Sequence, residues 1–281
     1  MPSQIMDRLF TYLIWGVVVL LTSAFLWLLG DLVWQGVPHL SWSFLVSEPM
    51  NAGRSGGIGP ILVSTLMILL VALTAAIPLG LGAAVWLAEY TRHGGTVGHG
   101  VRVSLDVLSG VPSIVFGLFG YAFFCVYLGL GYSILSGGLT LACMILPIFI
   151  RTSEAGLATV SNDWRHGAAA LGMSRATALW HILLPAAAPA IAAGLMLGIG
   201  RATAETAALI FTSGYVDRMP ESLADSGRAL SVHIYDLSMN VSGGDNAAYA
   251  SALVLIVLIV LINTAALTFV NRWLTKRITP L

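Results

Sequence analysis

Six long apolar runs constrain what this chain can fold into more than any other feature of its sequence. Each is nearly free of charge, and a helix needs about 20 such residues to cross a bilayer. Only 9% of the 281 residues are charged, whereas the surface of a soluble domain needs about 25%. The chain is therefore predicted to be an all-α integral membrane protein with six transmembrane helices, at 9–30, 61–88, 107–131, 133–150, 186–211 and 249–270.

The polar residues narrow the classes of function. The 13 Lys and Arg residues balance the 13 Asp and Glu residues, and Lys276 is the single lysine, so no face for binding nucleic acid is expected. Cys125 and Cys143 lie in apolar runs without a CxxC pattern, which disfavours a metal site or a disulfide framework. The sequence has no G-x-x-x-x-G-K-[ST] phosphate loop, so this chain is not expected to bind or hydrolyse ATP.

Basic residues are unevenly distributed between the two sides of the predicted membrane domain. The positive-inside pattern places both termini in the cytoplasm, with an inner loop at 151–185 and an outer loop at 212–248. Of the 13 Lys and Arg residues, only Arg201 lies inside a predicted span. Nine residues face inward, namely Arg8, Arg92, Arg102, Arg151, Arg165, Arg175, Arg272, Lys276 and Arg277, and three face outward, namely Arg54, Arg218 and Arg228.

The inner loop, residues 151–185, carries strong local signals for helix ends. The stretch at 161–163, Ser-Asn-Asp, supplies a helix cap before a short helix at 164–171. Gly172 stands where a left-handed residue would end that helix. Ser174 can cap a second helix that runs to residue 184, and Pro185 opens the fifth span. These signals predict a compact helix-turn-helix on the cytoplasmic face; a connector lying on lipid headgroups is the alternative.

The inner loop resembles the "EAA" loop of bacterial ABC importer permeases. Gly172, nine intervening residues and the sequence I-x-L-P ending at Pro185 match the second half of the pattern E-A-A-x-x-x-G, nine residues, I-x-L-P. His166 opens the stretch that occupies the E-A-A position, so the usual acid is absent. The resemblance implies that this loop docks into a cleft of an ATPase subunit, with Trp164, Arg165, His166, Gly172 and Pro185 as the coupling residues.

Further stretches resemble the PstA-type permease of the bacterial phosphate importer. They are GGIGPILVST, LSGVPSIVFGLFGY, RTSEAGL and ATAETAALIFTSG. The resemblance implies the type I ABC importer permease (MetI-like) fold, one permease domain over 1–281, and phosphate import across the cytoplasmic membrane by alternating access. It also implies a second permease subunit similar to PstC, two ATPase subunits similar to PstB that bind ATP and magnesium, and a phosphate-binding protein similar to PstS. The apolar spans add membrane lipid as a contact.

Arg201 and Glu205 form the one charged pair predicted inside the membrane. They are four residues apart on a predicted helix, so they are expected to lie on one face. A charge at the bilayer centre costs at least about 2.5–3.5 kcal/mol, so both should face the protein interior or a water-filled path. The planar guanidinium of arginine matches the oxygens of phosphate. We expect Arg201 to bind the anion transiently and Glu205 to hold the arginine between cycles; an internal, purely structural salt bridge is the alternative.

The fifth run carries two further features. Gly194 and Gly198 give it a face of small residues, which predicts close packing against another span. Ala207 and Ala208 stand where the PstA-type family commonly has Ala-Pro, which predicts a straighter helix end.

Two other functions remain open from the sequence. One is an importer for another oxyanion, such as molybdate or sulfate, because the inner loop is common to this whole class of importers. An ion-coupled secondary transporter would use Glu205 to relay protons, but such transporters usually show an internal repeat with interrupted helices, which this sequence lacks.

Overall fold

The computed structural model describes residues 2–91 and 95–278. Arg92, expected on the cytoplasmic side, lies outside the described residues, and so do the side chains of Lys276 and Arg277. The helices in the first half of the chain are α1 (Pro2–Gly36), α2 (Trp42–Val46), α3 (Gly59–Val85), α4 (Thr96–Ser109) and α5 (Ser113–Gly120). Those in the second half are α6 (Ile134–Ala158), α7 (Asn162–Ala170), α8 (Arg175–Ala178), α9 (Leu184–Thr203), α10 (Ala207–Ile210), α11 (Leu230–Met239) and α12 (Asp245–Ile278).

Three π-helical segments, two short 3₁₀ helices (Val37–His39 and Asn51–Gly53) and one short hairpin complete the fold. The π-helical segments continue α3 over Trp86–Tyr90, continue α5 over Tyr121–Tyr127, and join α8 to α9 over Leu179–Leu183. Strands β1 (Pro49–Met50) and β2 (Ser55–Gly56) pair antiparallel before α3. A tight turn joins the third and fourth apolar runs, and Gly129 and Gly131 in it both have positive φ.

Five helical segments of the described chain are long and apolar enough to cross a membrane. They are Met6–His39, Gly59–Tyr90, Ile134–Ala158, Arg175–Thr203 and Asp245–Thr268. A sixth is present if α4 and α5, which are bent by 102° relative to each other, count as one span. The predicted all-α membrane fold is confirmed.

The third segment differs from its prediction. The predicted run 107–131 begins in the last turn of α4 and crosses the bend before α5. Pro112 is extended at the bend, with φ −58° and ψ 141°. The residue before a proline is disfavoured in the helical conformation, so Val111 cannot continue α4. Hydropathy alone misses this bend because both of its sides are apolar.

Helix α6 lies at the centre of the fold, between α3 and α9. Its buried side chains Leu141, Ile145 and Phe149 share one apolar cluster with Ile68 of α3 and Ile199 of α9. By contrast, none of the residues in the apolar window of α1 is buried within this chain. The core of the subunit is therefore built from the second, fourth and fifth apolar runs.

Small residues let α9 approach α6 closely, as predicted. A Cβ atom added at Gly198 would lie 2.6 Å from Cγ2 of Ile145, and one added at Gly194 would lie 2.8 Å from Cβ of Thr152. Both distances are shorter than ordinary carbon–carbon contact, so any larger side chain must push the helices apart.

We predict that Gly198→Val destabilises the subunit because the added carbon atoms overlap with Ile145. Gly200→Val is the matched control, since a Cβ atom at Gly200 meets nothing within 4 Å. Thermal unfolding of the two variants in the same detergent checks the prediction. The melting temperature should fall clearly only for Gly198→Val; equal values for the two variants would show that the α6–α9 contact is not tight.

Candidate functional site

The fifth apolar run is broken between Arg201 and Glu205. Helix α9 ends at Thr203, and Ala204, Glu205 and Thr206 separate it from α10. The predicted span 186–211 therefore contains two helices, and the prediction that Arg201 and Glu205 share one helical face is wrong. Ala207 and Ala208 lie in α10, after the break, so the straighter helix end remains a prediction.

Glu205 stabilises this break through hydrogen bonds on both sides. Its carboxylate Oε1 accepts a hydrogen bond from the backbone N–H of Ala208, 3.1 Å away, in the first turn of α10. Its backbone carbonyl accepts a hydrogen bond from the hydroxyl of Ser231 in α11, at 2.6 Å. Glu205 is only 9% exposed. A buried carboxylate at the start of a helix supplies an acceptor for backbone donors that have no partner within the helix.

Arg201 lies in the last turn of α9 and is half-buried. A cation is favourable there because the carbonyl groups at a helix C-terminus carry partial negative charge. Among the described residues, no carboxylate oxygen lies within 4 Å of its guanidinium. Arg201 is therefore held at the break without an ion pair among the described residues.

Two of the stretches that resemble the PstA-type permease, LSGVPSIVFGLFGY and ATAETAALIFTSG, meet beside this break. Gly117 of α5 faces Ala208 of α10, where an added Cβ atom would lie 2.8 Å from the Cα atom of Ala208. Gly120 likewise faces Thr140 of α6 and Thr212. These glycines let α5 pack directly on α10, so the bent third segment shapes the surroundings of Glu205.

The inner loop forms the predicted short helix, α7, with both of its ends fixed. The hydroxyl of Ser161 accepts a hydrogen bond from the backbone N–H of Asp163 at 3.2 Å. Gly172 has φ +71°, and the N–H of Met173 donates to the carbonyl of Ala168 at 3.0 Å. This is the hydrogen bond of a Schellman ending, which requires a left-handed residue at the position of Gly172.

Of the five predicted coupling residues, four lie in or just after α7 and one, Pro185, lies in α9. Trp164 is 55% exposed, and His166 and Gly172 are exposed as well. Arg165 instead points inward. Its Nη2 lies 2.6 Å from Oε1 of Glu89, in the π-helical segment Trp86–Tyr90 that continues α3. Only part of the predicted set is therefore available to a partner.

Arg165 joins the inner loop to two spans. Besides its ion pair with Glu89, its guanidinium donates hydrogen bonds to the carbonyls of Leu157 and Val160 near the end of α6. The sequence alone did not indicate a role for Glu89, because a single acidic residue after an apolar run resembles an ordinary helix end. The ion pair fixes α7 against α3 and α6, so a force on α7 reaches both spans.

Pro185 occupies a different position from the predicted one. Helical structure runs without interruption from Arg175 to Thr203, and Pro185 is buried inside it. Proline removes one backbone donor, and the π-helical segment Leu179–Leu183 just before it is the kind of local adjustment that accommodates this loss. One continuous helix therefore connects the inner loop to Arg201.

A second charged network joins α4 to the first residues of the inner loop. Arg151 lies 2.8 Å from Asp106 and 2.8 Å from Glu154, and Glu154 also pairs with Arg102. The network ties α4 to α6, and it lets α6 extend through charged residues to Ala158, beyond the predicted end at 150. The sequence feature that indicates this longer α6 is the spacing of Arg151 and Glu154 in "RTSEAGL". Residues three apart lie on one side of a helix.

Arg228 organises the outer loop at the opposite end. Its Nη1 lies 3.4 Å from Asp236 and 3.8 Å from Asp217, and it can donate to Nδ1 of His233 at 3.4 Å. Burial, and then the neighbouring Arg228, lower the pKa of His233 to about 4, against the opposing effect of Asp236. At neutral pH the imidazole is therefore uncharged and acts as an acceptor for Arg228.

Comparison with known proteins assigns the chain to a family. Residues 76–280, more than half of the chain, match the binding-protein-dependent transport system inner membrane component family. The chain belongs to this family. It is thus a multi-pass inner membrane protein and the transport subunit of an ABC importer, and such permeases act with an ATPase and a substrate-binding protein.

Two relatives within the family match most of the chain. The probable ABC transporter permease protein YqgI of Bacillus subtilis is 30% identical over 98% of this chain and 96% of its own length. The phosphate transport system permease protein PstA 2 of Mycobacterium bovis is 32% identical over 90% of this chain and 83% of its own length.

Solved structures show the same fold at lower identity. A bacterial ABC transporter involved in the import of the acidic polysaccharide alginate superposes with a TM-score of 0.61 at 14% identity, covering 92% of this chain and 96% of that chain. The MetNI methionine ABC transporter, in an inward-facing conformation, gives 0.56 at 16% identity over 76% of this chain and 95% of that chain. The predicted type I importer permease fold is confirmed.

We predict that Gly172→Val weakens coupling between the inner loop and its ATPase, because a β-branched residue is strained at φ +71°. Gly172→Asn is the matched control, since asparagine tolerates the left-handed conformation and no atom lies within 4 Å of an added Cβ. ATPase activity of the purified complex, with and without loaded binding protein, is the measurement. Normal stimulation in Gly172→Val would remove the α7 ending from the mechanism.

Proposed function

We propose that this chain is the membrane subunit of an ATP-driven importer that carries inorganic phosphate across the bacterial cytoplasmic membrane. The observation that carries the proposal is the position of Arg201. Its guanidinium is half-buried at a helix break in the family's membrane domain and has no carboxylate within 4 Å among the described residues. Several relatives, including the Mycobacterium bovis protein, are named as phosphate permeases.

Arg201 would bind the anion as it enters the membrane domain. Two parallel N–H donors of a guanidinium match two oxygens of a tetrahedral anion, and the interaction is strong in a site of low dielectric constant. Glu205 has a different role from the expected one, because its carboxylate bonds to Ala208 and does not hold Arg201. Release of the anion would follow from movement of the helices, without competition from Glu205.

The inner loop would transmit ATPase closure to this position. Trp164 and His166 on the exposed face of α7 would contact the ATPase cleft, while Arg165 holds α7 to the α3 segment. The continuous helix from Arg175 to Thr203 would carry the displacement to Arg201. The complete importer would contain a PstC-like second permease subunit, two PstB-like ATPase subunits that bind ATP and magnesium, and a PstS-like phosphate-binding protein.

Transport of another oxyanion is the second candidate. Molybdate and sulfate are also tetrahedral and would satisfy the same guanidinium, so Arg201 by itself does not separate them from phosphate. Competition by a large excess of sulfate or molybdate during uptake of radiolabelled phosphate separates the three anions. We expect neither to reduce phosphate uptake. A proton-relay function for Glu205 has no support, because its carboxylate is already used as a helix cap.

We predict that Arg201→Gln abolishes phosphate uptake, because it removes the charge that offsets the cost of dehydrating the anion. Arg201→Lys keeps the charge but loses the paired donors, so its uptake should fall strongly as well. Uptake of radiolabelled phosphate by cells lacking other phosphate transporters is the measurement.

The control for this prediction is Arg218→Gln, which removes an exposed arginine of the outer loop. All variants are compared at equal abundance in the membrane. Uptake should remain normal in Arg218→Gln. Normal uptake in Arg201→Gln would contradict the proposed role and show that the anion passes elsewhere.

A further inference from the structure

A cavity of about 310 Å³ opens beside α7, at the end of the molecule that carries the inner loop. Two π-helical segments, Trp86–Tyr90 and Leu179–Leu183, contribute to its walls. Neither the transport path nor the exposed face of α7 uses this space. The residues that line the cavity are Glu89, Tyr90, Arg165, Ala168, Ala169, Met173, Arg175, Ala178, Leu179 and Leu183.

The cavity carries one positive charge that is not neutralised by the described residues around it. Arg165 and Glu89 in its wall neutralise each other through their ion pair. Arg175 is exposed, and no carboxylate oxygen of the described chain lies within 4 Å of it. The hydroxyl of Tyr90 adds a neutral donor. The polar side of the cavity therefore suits an anion.

The other side of the cavity is apolar. Ala178, Leu179 and Leu183 are each at most 8% exposed. A small hydrated anion such as inorganic phosphate would lose water against these side chains without any compensating hydrogen bond. A molecule with an anionic group at one end and a hydrocarbon chain at the other satisfies both sides.

The two π-helical segments in the cavity wall each carry one exposed tryptophan. Trp86 and Trp180 belong to the same two π-helical segments and are 41% and 61% exposed. Tryptophan is enriched where membrane proteins meet the headgroup region. The two tryptophans therefore favour a position of these segments near the lipid headgroups on the inner-loop side.

We propose that this cavity binds an anionic phospholipid of the cytoplasmic leaflet. The phosphate of the lipid would contact Arg175, and its acyl chain would lie along Leu179 and Leu183. The lipid would then support α7 from below, on the side opposite to its exposed face. This inference holds whichever anion the importer carries, so it does not depend on the proposed function.

The test uses the intact importer complex in nanodiscs of phosphatidylcholine alone or mixed with phosphatidylglycerol, followed by native mass spectrometry of the lipid retained after mild detergent extraction. The variants are Arg175→Gln, which removes the charge, and Ala178→Leu, which fills the apolar side. Arg8→Gln is the control because it removes an exposed arginine predicted on the same side.

We expect wild type and Arg8→Gln to retain phosphatidylglycerol in preference to phosphatidylcholine. Arg175→Gln should retain about five-fold less, the change expected for one lost arginine–headgroup contact, and Ala178→Leu should also retain less. Excess inorganic phosphate should not displace the lipid.

Three results would overturn the proposal. Equal retention by Arg175→Gln and Arg8→Gln would show that the cavity does not select the lipid. Displacement of the lipid by inorganic phosphate would make it a site for the free anion. Loss of the ATPase subunits from Arg175→Gln with unchanged lipid retention would assign the cavity to the ATPase interface.

Discussion

The hydrogen bonds of Glu205 are the interaction on which the arrangement of the membrane domain depends. Its carboxylate accepts the hydrogen bond from the Ala208 N–H that starts α10. Its backbone carbonyl accepts the hydrogen bond from Ser231 that holds α11 against the same point. Without these acceptors, the backbone N–H of Ala208 and the hydroxyl of Ser231 would be buried without partners, at a cost of about 1–3 kcal/mol each. The break in turn sets the end of α9 and thereby places Arg201 at the last helical turn before an irregular segment.

The position of Arg201 is connected mechanically to the cytoplasmic end of the molecule. A single helical segment runs from Arg175 to Thr203, so the inner loop and the break share one rigid element. The ion pair between Arg165 and Glu89 fixes α7 to the π-helical segment that continues α3. Tight packing of Gly194 and Gly198 on α6 leaves α9 little freedom to move alone. A displacement of α7 is therefore expected to move α6 and α9 together.

The sequence predicted the fold well and the site in part, for physical reasons. Membrane spans follow from hydropathy because a bilayer excludes unpaired backbone groups, and the end of α7 follows from Gly172 because few residues tolerate its conformation. The helix break was not predictable from spacing: Ala204, Thr206 and Ala207 give no local signal, and Glu205 acts through a bond to Ser231, 26 residues away. The inward orientation of Arg165 depends in the same way on Glu89, which is distant in sequence.

The role of Glu205 as a helix cap is tested most directly by comparing Glu205→Gln with Glu205→Leu at equal membrane abundance. Glutamine keeps an oxygen that can accept the Ala208 N–H, whereas leucine has none. Phosphate uptake should stay close to that of the wild type in Glu205→Gln and fall severalfold in Glu205→Leu. Equal impairment of the two variants would contradict this account, because it would show that the negative charge of Glu205, and not its capping bond, is what transport requires.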